Sequence, residues 1–441
     1  MTETFPPFTA VLNRRLRLTA IAPLAVGFSG GGDSLALLIL TLDWARAHGR
    51  AVLALTVDHQ LNPSSAAWTT EAVARARSLG AQARALAWTG DKPATGLPAA
   101  ARAARHALLA DAARDAGARV LLLGHTRDDV AESAAMRAEG STVSDPREWA
   151  PSPAWPQGRG VFVLRPLLEV GRGEIRDWLS ARDETWLDDP ANEDPKYARA
   201  RARKTISSPE KRGVTGEEAT KPSVTMRIRI APPPSFHGGG EGYLVLCRDA
   251  PAAHVAAACL CVAGTAQPPR GERLQRLVDR IRAGEDFTAT LAGARIEAAG
   301  EAVSFFREPG EVRRATEGGG DRGGITPPTD ASDRLPHGGR GYLELPPRQP
   351  IVWDGRYEIT AAAPGLTARP LQGVATRLPV AQRQALKGFP AAARPSLPVV
   401  LAPDGTPSCP ILAEPNATPT RCLVMDRFEA ATGRVDQEPA T

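Results

Sequence analysis

Residues 29 to 34 read Ser-Gly-Gly-Gly-Asp-Ser, set between an apolar run, Leu24 to Phe28, and an amphipathic stretch that begins at Leu35. That setting makes them a strand-to-helix turn. Three successive glycines allow positive φ and let backbone N–H groups close on a ligand with no Cβ in the way. At a helix N-terminus such a turn attracts an anion, phosphate above all. A Walker A loop needs a lysine after its glycines, and a dinucleotide-binding GxGxxG needs a third glycine where Leu35 stands, so neither motif fits. Gly27-Phe28-Ser29-Gly30-Gly31 does match GxSxG, the elbow that presents a serine in α/β-hydrolases, and Ser29 is therefore an alternative acyl-transfer nucleophile. That elbow follows several strands, whereas a single strand precedes Ser29. A glycine turn with no ligand is the third reading.

A second group lies in Gly124-His125-Thr126-Arg127-Asp128-Asp129-Val130-Ala131-Glu132. His125, Asp128, Asp129 and Glu132 fall at i, i+3, i+4 and i+7, on one side of a helix that starts at a strand's carboxyl end. Such a cluster suits magnesium ligation, ammonium recognition or proton removal. Thr126 and Asp129 are also spaced as a capping box, so part of the pattern serves helix initiation. Arg102 and Arg105, three apart in the helical stretch 99–116, read on their own as a solvated helix face. Arg199, Arg201 and Arg203 form an alternating run that composition alone assigns to a solvated face or a helix end.

The elements that must position these groups alternate along the first 205 residues. Strand candidates are 24–28, 51–59, 83–88, 120–124 and 161–164, and helical stretches cover 35–49, 67–80, 99–116 and 173–182. The undivided apolar character of Val120 to Leu123 suits a strand buried on both faces. We expect an α/β fold with a doubly wound parallel sheet and ligands at the strands' carboxyl ends. Residues 206–242 hold 11 glycines or prolines in 37 positions and read as a linker or insertion. A smaller α+β middle domain over 243–310 follows, with a helix near 271–283 and strands near 287–291 and 303–307. A second Gly/Pro-rich stretch over 311–350 leads to a β-rich C-terminal domain over 351–430.

The chain has 441 residues and a net charge of +5, with hydrophobic residues at 42 % and charged residues at 23 %, which excludes a wholly disordered chain, a collagen and a coiled coil. A phosphate-rich partner is compatible with this charge without being required by it. No apolar stretch approaches the length of a membrane span, and Arg14-Arg15 only faintly resembles an export signal. The five cysteines begin at Cys247 and form no CxxC pair, so a reducing, cytoplasmic setting is expected.

The turn Ser29 to Ser34 resembles the PP-loop, SGGxDS, of the N-type ATP pyrophosphatases. Further segments in order are similar to the tRNA(Ile)-lysidine synthase family: Val57-Asp58-His59-Gln60-Leu61-Asn62-Pro63-Ser64-Ser65, Ala101-Arg102-Ala103-Ala104-Arg105-His106, the 124–132 segment, Arg165-Pro166-Leu167-Leu168 with Glu174-Ile175, and Trp186-Leu187-Asp188-Asp189-Pro190-Ala191-Asn192 followed by the run 199–203. Asn62 stands where the family has arginine, and His106 where it has tyrosine. The resemblance is close over 24–205 and looser beyond.

The resemblance implies ATP and Mg²⁺ as cofactors, with Asp33 and Asp129 near the metal. Ser29, Gly30, Gly31, Gly32, Asp33 and Ser34 would hold the phosphates, with Asp58 and His59 by the nucleoside. Catalysis would fall to Asp33, Asp128, Asp129, Glu132 and Arg165, with Glu132 or Asp129 as the base. Arg102, Arg105, Arg199, Arg201 and Arg203 would meet tRNA. The implied reaction adenylates the wobble cytidine of an isoleucine tRNA with a CAU anticodon. L-lysine then displaces AMP to give lysidine, with diphosphate released in the first step. A homodimer is compatible with this reading, and no membrane is involved. The nearest rival, a sulfur-transferring tRNA enzyme, needs cysteines that the first 246 residues lack.

Overall fold

The computed structural model describes residues 5–141, 145–187, 242–310, 342–413 and 418–440. The chain divides into two units, residues 1–224 with 435–441 and residues 225–434.

The first unit is built on a six-stranded sheet in the order β3-β2-β1-β4-β6-β5. Its strands are β1 (Leu24–Gly27), β2 (Val52–Asp58), β3 (Gln82–Ala87), β4 (Val120–Leu123), β5 (Trp149–Pro151) and β6 (Phe162–Leu164). All pair in parallel except β5, which runs antiparallel to β6 at the edge. The helices are α1 (Pro6–Arg15), α2 (Gly32–Ala47), α3 (Ser65–Ser78), α4 (Leu97–Asp115), α5 (Arg127–Ala138) and α6 (Arg172–Ser180). The strand alternation divides the core in two. Leu24, Val26, Val52, Ala54, Val120 and Leu122 face one cluster with Phe8, Leu12 and the buried side of α2. Ala25, Leu53, Leu55, Leu121 and Leu123 face the other, with Leu109 and Ala113 of α4. Both faces of the sheet are thus covered, which is why β1 and β4 carry no polar side chain. Each such leucine or valine contributes on the order of 1.5–3 kcal/mol through burial.

The doubly wound parallel sheet expected from the alternation is therefore present, with an antiparallel edge that three residues of β5 were too short to signal. Helix α2 begins three residues earlier than the apolar pattern suggested, at Gly32, so Asp33 and Ser34 lie in its first turn.

In the second unit, β7 (Leu244–Cys247), β8 (Phe287–Leu291), β9 (Ala294–Ala299) and β10 (Ala302–Arg307) form an antiparallel sheet in the order β7-β10-β9-β8. Helices α7 (Ala252–Ala263) and α8 (Glu272–Arg282) pack into the same core. Two further antiparallel sheets follow, one in the order β11 (Leu343–Glu344), β14 (Thr367–Pro370), β15 (Pro398–Leu401), β16 (Pro407–Ser408) and one in the order β12 (Pro350–Trp353), β13 (Tyr357–Thr360), β17 (Thr420–Cys422), with short helices α9 (Val380–Ala385) and α10 (Val424–Ala431). Between β10 and the segment before β13 (Tyr357–Thr360) lies a buried cluster: Asp354 takes Arg307 Nη2 at 2.8 Å and Arg356 Nη2 at 2.7 Å.

Candidate active site

The turn after β1 is shaped by what surrounds it. Gly30 has φ of +84°. The positive φ calls for glycine there, and a Cβ would in addition displace the Leu187 side chain, whose Cδ1 would lie 2.7 Å away. Leu187 N donates to Gly30 O at 3.0 Å, and the Trp186 ring lies beside Gly32. Ser34 Oγ donates to Gly31 O at 2.9 Å and accepts the Ser29 N–H at 3.2 Å. Gly31 caps α2 without any side-chain hydrogen bond. The first N–H groups of this helix are thus left to an anion, with the helix dipole in support. The Ser29 hydroxyl has Ser34 Oγ and Gly31 N as partners, an arrangement that serves the turn, and among the described residues no histidine is hydrogen-bonded to it as a base.

Gly124, at the carboxyl end of β4, abuts the same turn. A Cβ on it would lie 3.0 Å from Asp33 O and 3.3 Å from Ser34 N. Gly124→Ala is expected to push back the first turn of α2, lower stability by about 1–3 kcal/mol and raise the KM for ATP. Thermal melting and ATP titration check this, and an unaltered variant in both would show that β4 does not seat the turn.

The acidic residues of α5 divide their work. Thr126 and Asp129 form the capping box, with Thr126 N donating to Asp129 Oδ2 at 2.8 Å. Asp128 Oδ2 accepts the backbone N–H of Arg172 at 2.7 Å and so caps α6. The other oxygens converge on the Arg172 guanidinium. Nε lies 3.2 Å from Asp33 Oδ2, Nη1 lies 3.1 Å from Glu132 Oε1, and Nη2 lies 3.7 Å from Asp129 Oδ1. Glu132 is almost wholly buried, with 2 % side-chain exposure. Burial raises the pKa of the Asp33 carboxyl above the ordinary range. Arg172 opposes that rise, by charge and by hydrogen bond, and Asp129 adds to it. An open pocket of about 330 Å³ lies against Arg172 and Asp128, lined also by Arg127, Ala131 and Glu174.

Arg172 was not singled out among the sequence candidates. It occupies the first position of α6, two residues before the Glu174-Ile175 pair quoted from the sequence, and that spacing was the available signal. Replacing Arg172 by alanine removes the two largest influences that lower the Asp33 pKa, its charge and its hydrogen bond, and leaves the smaller one of Arg176. Asp33 would then stay protonated to higher pH, so the acid limb of activity should move upward and the rate fall about tenfold at neutral pH. A pH–rate profile of Arg172→Ala measures this, and an acid limb left in place would refute the role.

A cationic group gathers beyond the carboxyl end of β6. Arg165 is buried, donates from Nη1 to Arg147 O at 2.8 Å, and has its buried Nε without a hydrogen-bond partner among the described residues. Burial brings its pKa down to about 10, with Arg102, Arg147 and Arg105 adding repulsion. His106 is held well below its ordinary value by burial and then by Arg105, Arg102 and Arg165. Arg165 is buried, Arg105 half-buried, and Arg102 and Arg147 exposed, and like charges gathered in this way favour an incoming polyanion. Asp58 and His59 end β2, where Asp58 Oδ1 takes the Gln60 N–H at 2.8 Å and His59 meets Trp88 edge to face. His59 is also shifted down by burial and by Arg105. The turn, the acidic group, Asp58 with His59, and Arg165 all stand at carboxyl ends of neighbouring parallel strands. Arg199, Arg201 and Arg203 lie outside the described residues.

A glycine turn closing the first strand of a parallel sheet, with an aspartate in the first helical turn and no lysine, defines a PP-loop nucleotide-binding fold. Residues 9–210 match the family described as a PP-loop domain. The tRNA(Ile)-lysidine synthase of Caulobacter vibrioides is 52 % identical over 439 residues, covering 98 % of each chain. That of Hyphomonas neptunium is 39 % identical, over 63 % of this chain and 79 % of its own length. That of Brucella anthropi is 31 % identical, over 76 % of this chain and 75 % of its own. The chain belongs to the tRNA(Ile)-lysidine synthase family.

Proposed function

We infer that this protein is a ligase that uses ATP to form lysidine on tRNA(Ile), with release of AMP and diphosphate. The observation that carries the reading is the uncapped turn at α2, whose Asp33 shares Arg172 with Asp129 and Glu132. An amide-like carbonyl oxygen is a poor leaving group and AMP a good one, so adenylation of the cytidine must precede amine attack. The turn's N–H groups, with Ser29 and Ser34, hold the phosphates, and Asp58 and His59 border the nucleoside. Arg165, Arg102 and Arg105, with Arg199, Arg201 and Arg203, meet tRNA phosphate.

Among the described residues no three His, Cys, Asp or Glu side chains assemble to hold a metal ion. Mg²⁺ needs no such cage, because it takes one or two carboxylates and completes its shell with phosphate oxygens and water. Asp33 and Asp129, close enough for Asp129 to raise the Asp33 pKa, fit that demand. The ion would neutralise the triphosphate where the lysine of a Walker loop is lacking.

L-lysine is the proposed nucleophile. Its ε-amine, with a pKa near 10.4, is neutral in roughly one molecule in a few thousand at pH 7, so a base beside it speeds the reaction. Glu132 or Asp129 fills that role, and the pocket beside Arg172 is the place for the amino acid. The proposal extends to a cytoplasmic enzyme, compatible with a homodimer. No helix among the described residues is long and apolar enough to cross a membrane. The test is incubation with ATP, labelled lysine and unmodified isoleucine tRNA bearing CAU. Label in RNA matched by AMP supports the reading, and ADP as product rejects it.

A further inference from the structure

The last residues of the chain group with the first unit. Residues 435–440 are tied there from several separate places. Trp149 Nε1 donates to Val435 O at 2.8 Å, and Arg15 Nη1 to Asp436 O at 2.7 Å. Glu438 N donates to Arg15 O at 2.8 Å, and Arg17 Nε to Glu438 O at 2.7 Å. The Glu438 carboxylate takes the Arg17 N–H at 3.0 Å and both terminal nitrogens of Arg50, at 2.9 and 2.7 Å. Neither side chain of that ion pair has any solvent exposure. The third nitrogen of the Arg50 guanidinium, Nε, donates to Ala22 O at 2.8 Å.

A guanidinium stripped of water is tolerated only when a carboxylate neutralises it and its donors are filled. Here the carboxylate arrives from 388 positions along the chain. Arg17 and Ala22 precede β1 and Arg50 precedes β2, so the tail grips the starts of the strands whose other ends carry the turn and Asp58. Without the tail, Arg50 would stay buried with its charge uncompensated, or would draw water into the core beneath those strands.

We propose that residues 435–440 are a latch seated in a carboxylate-specific peptide groove on the catalytic unit, and that this unit reaches full stability only with the latch in place. Shortening the chain loosens the site although no site residue is lost.

The test compares the full chain, its Glu438→Gln variant and a chain ending at Arg434 by thermal melting. The shortened chain is expected to melt on the order of 10 °C lower. Added peptide Val-Asp-Gln-Glu-Pro-Ala-Thr should restore the loss, and the same peptide carrying Glu438→Gln should not. If the shortened chain does not fold, the full-length Glu438→Gln variant decides, with an expected drop of several degrees. A melt unchanged on truncation or in Glu438→Gln, or rescue by both peptides alike, would overturn the latch.

Discussion

Asp33→Ala is expected to lower tRNA-dependent AMP formation by roughly a hundred- to a thousand-fold while the protein still folds. The side chain sits in the first turn of α2, with 27 % exposure, where its loss leaves no hole in the core. What disappears is the carboxylate that shares a cation with Glu132 and Asp129 and stands beside the phosphate turn. Pre-steady-state release of diphosphate measures the loss directly. Diphosphate released at the wild-type rate would remove Asp33 from the adenylation step.

Glu132→Gln separates the two halves of the reaction. The amide keeps the size of the side chain and its bond from Arg172, so adenylation should proceed at close to its normal rate. Lysine transfer should slow by about a hundred-fold or more at neutral pH, within the usual range for a general base. The deficit should shrink as pH rises, because bulk solvent then supplies the free amine. Single-turnover transfer from adenylated tRNA measures this across pH. A variant unslowed at every pH would leave Glu132 as a binding group only and pass the base role to Asp129.

Much of this was legible from residue types and spacing. The Ser29 to Ser34 turn, the four parallel strands from β1 to β4 and the side of α5 carrying Asp129 and Glu132 follow from local rules: glycine freedom, undivided apolar runs and helical periodicity. Asp128 shows where such rules stop. It shares the helix side of Asp129 and Glu132, yet its carboxylate turns to cap α6, because the N-terminus of that helix arrives beside it in space. Arg172 was hidden for the same reason: its weight comes from three carboxylates on α2 and α5, 40 to 139 positions away in the chain. Gly124 was quoted with its motif, but only the packing of β4 against α2 shows what its missing Cβ permits. Glu438 gave no local signal at all. An isolated acid near a chain end ordinarily sits in water, and only the tertiary return of the tail makes it a buried partner.

The most direct test of the account is a crystal structure of the protein with magnesium and a non-hydrolysable ATP analogue. The phosphates should lie on the N–H groups of Gly30, Gly31 and Gly32, with Asp33 beside the metal and the base near Asp58 and His59. A triphosphate bound elsewhere, with that turn empty, would contradict it.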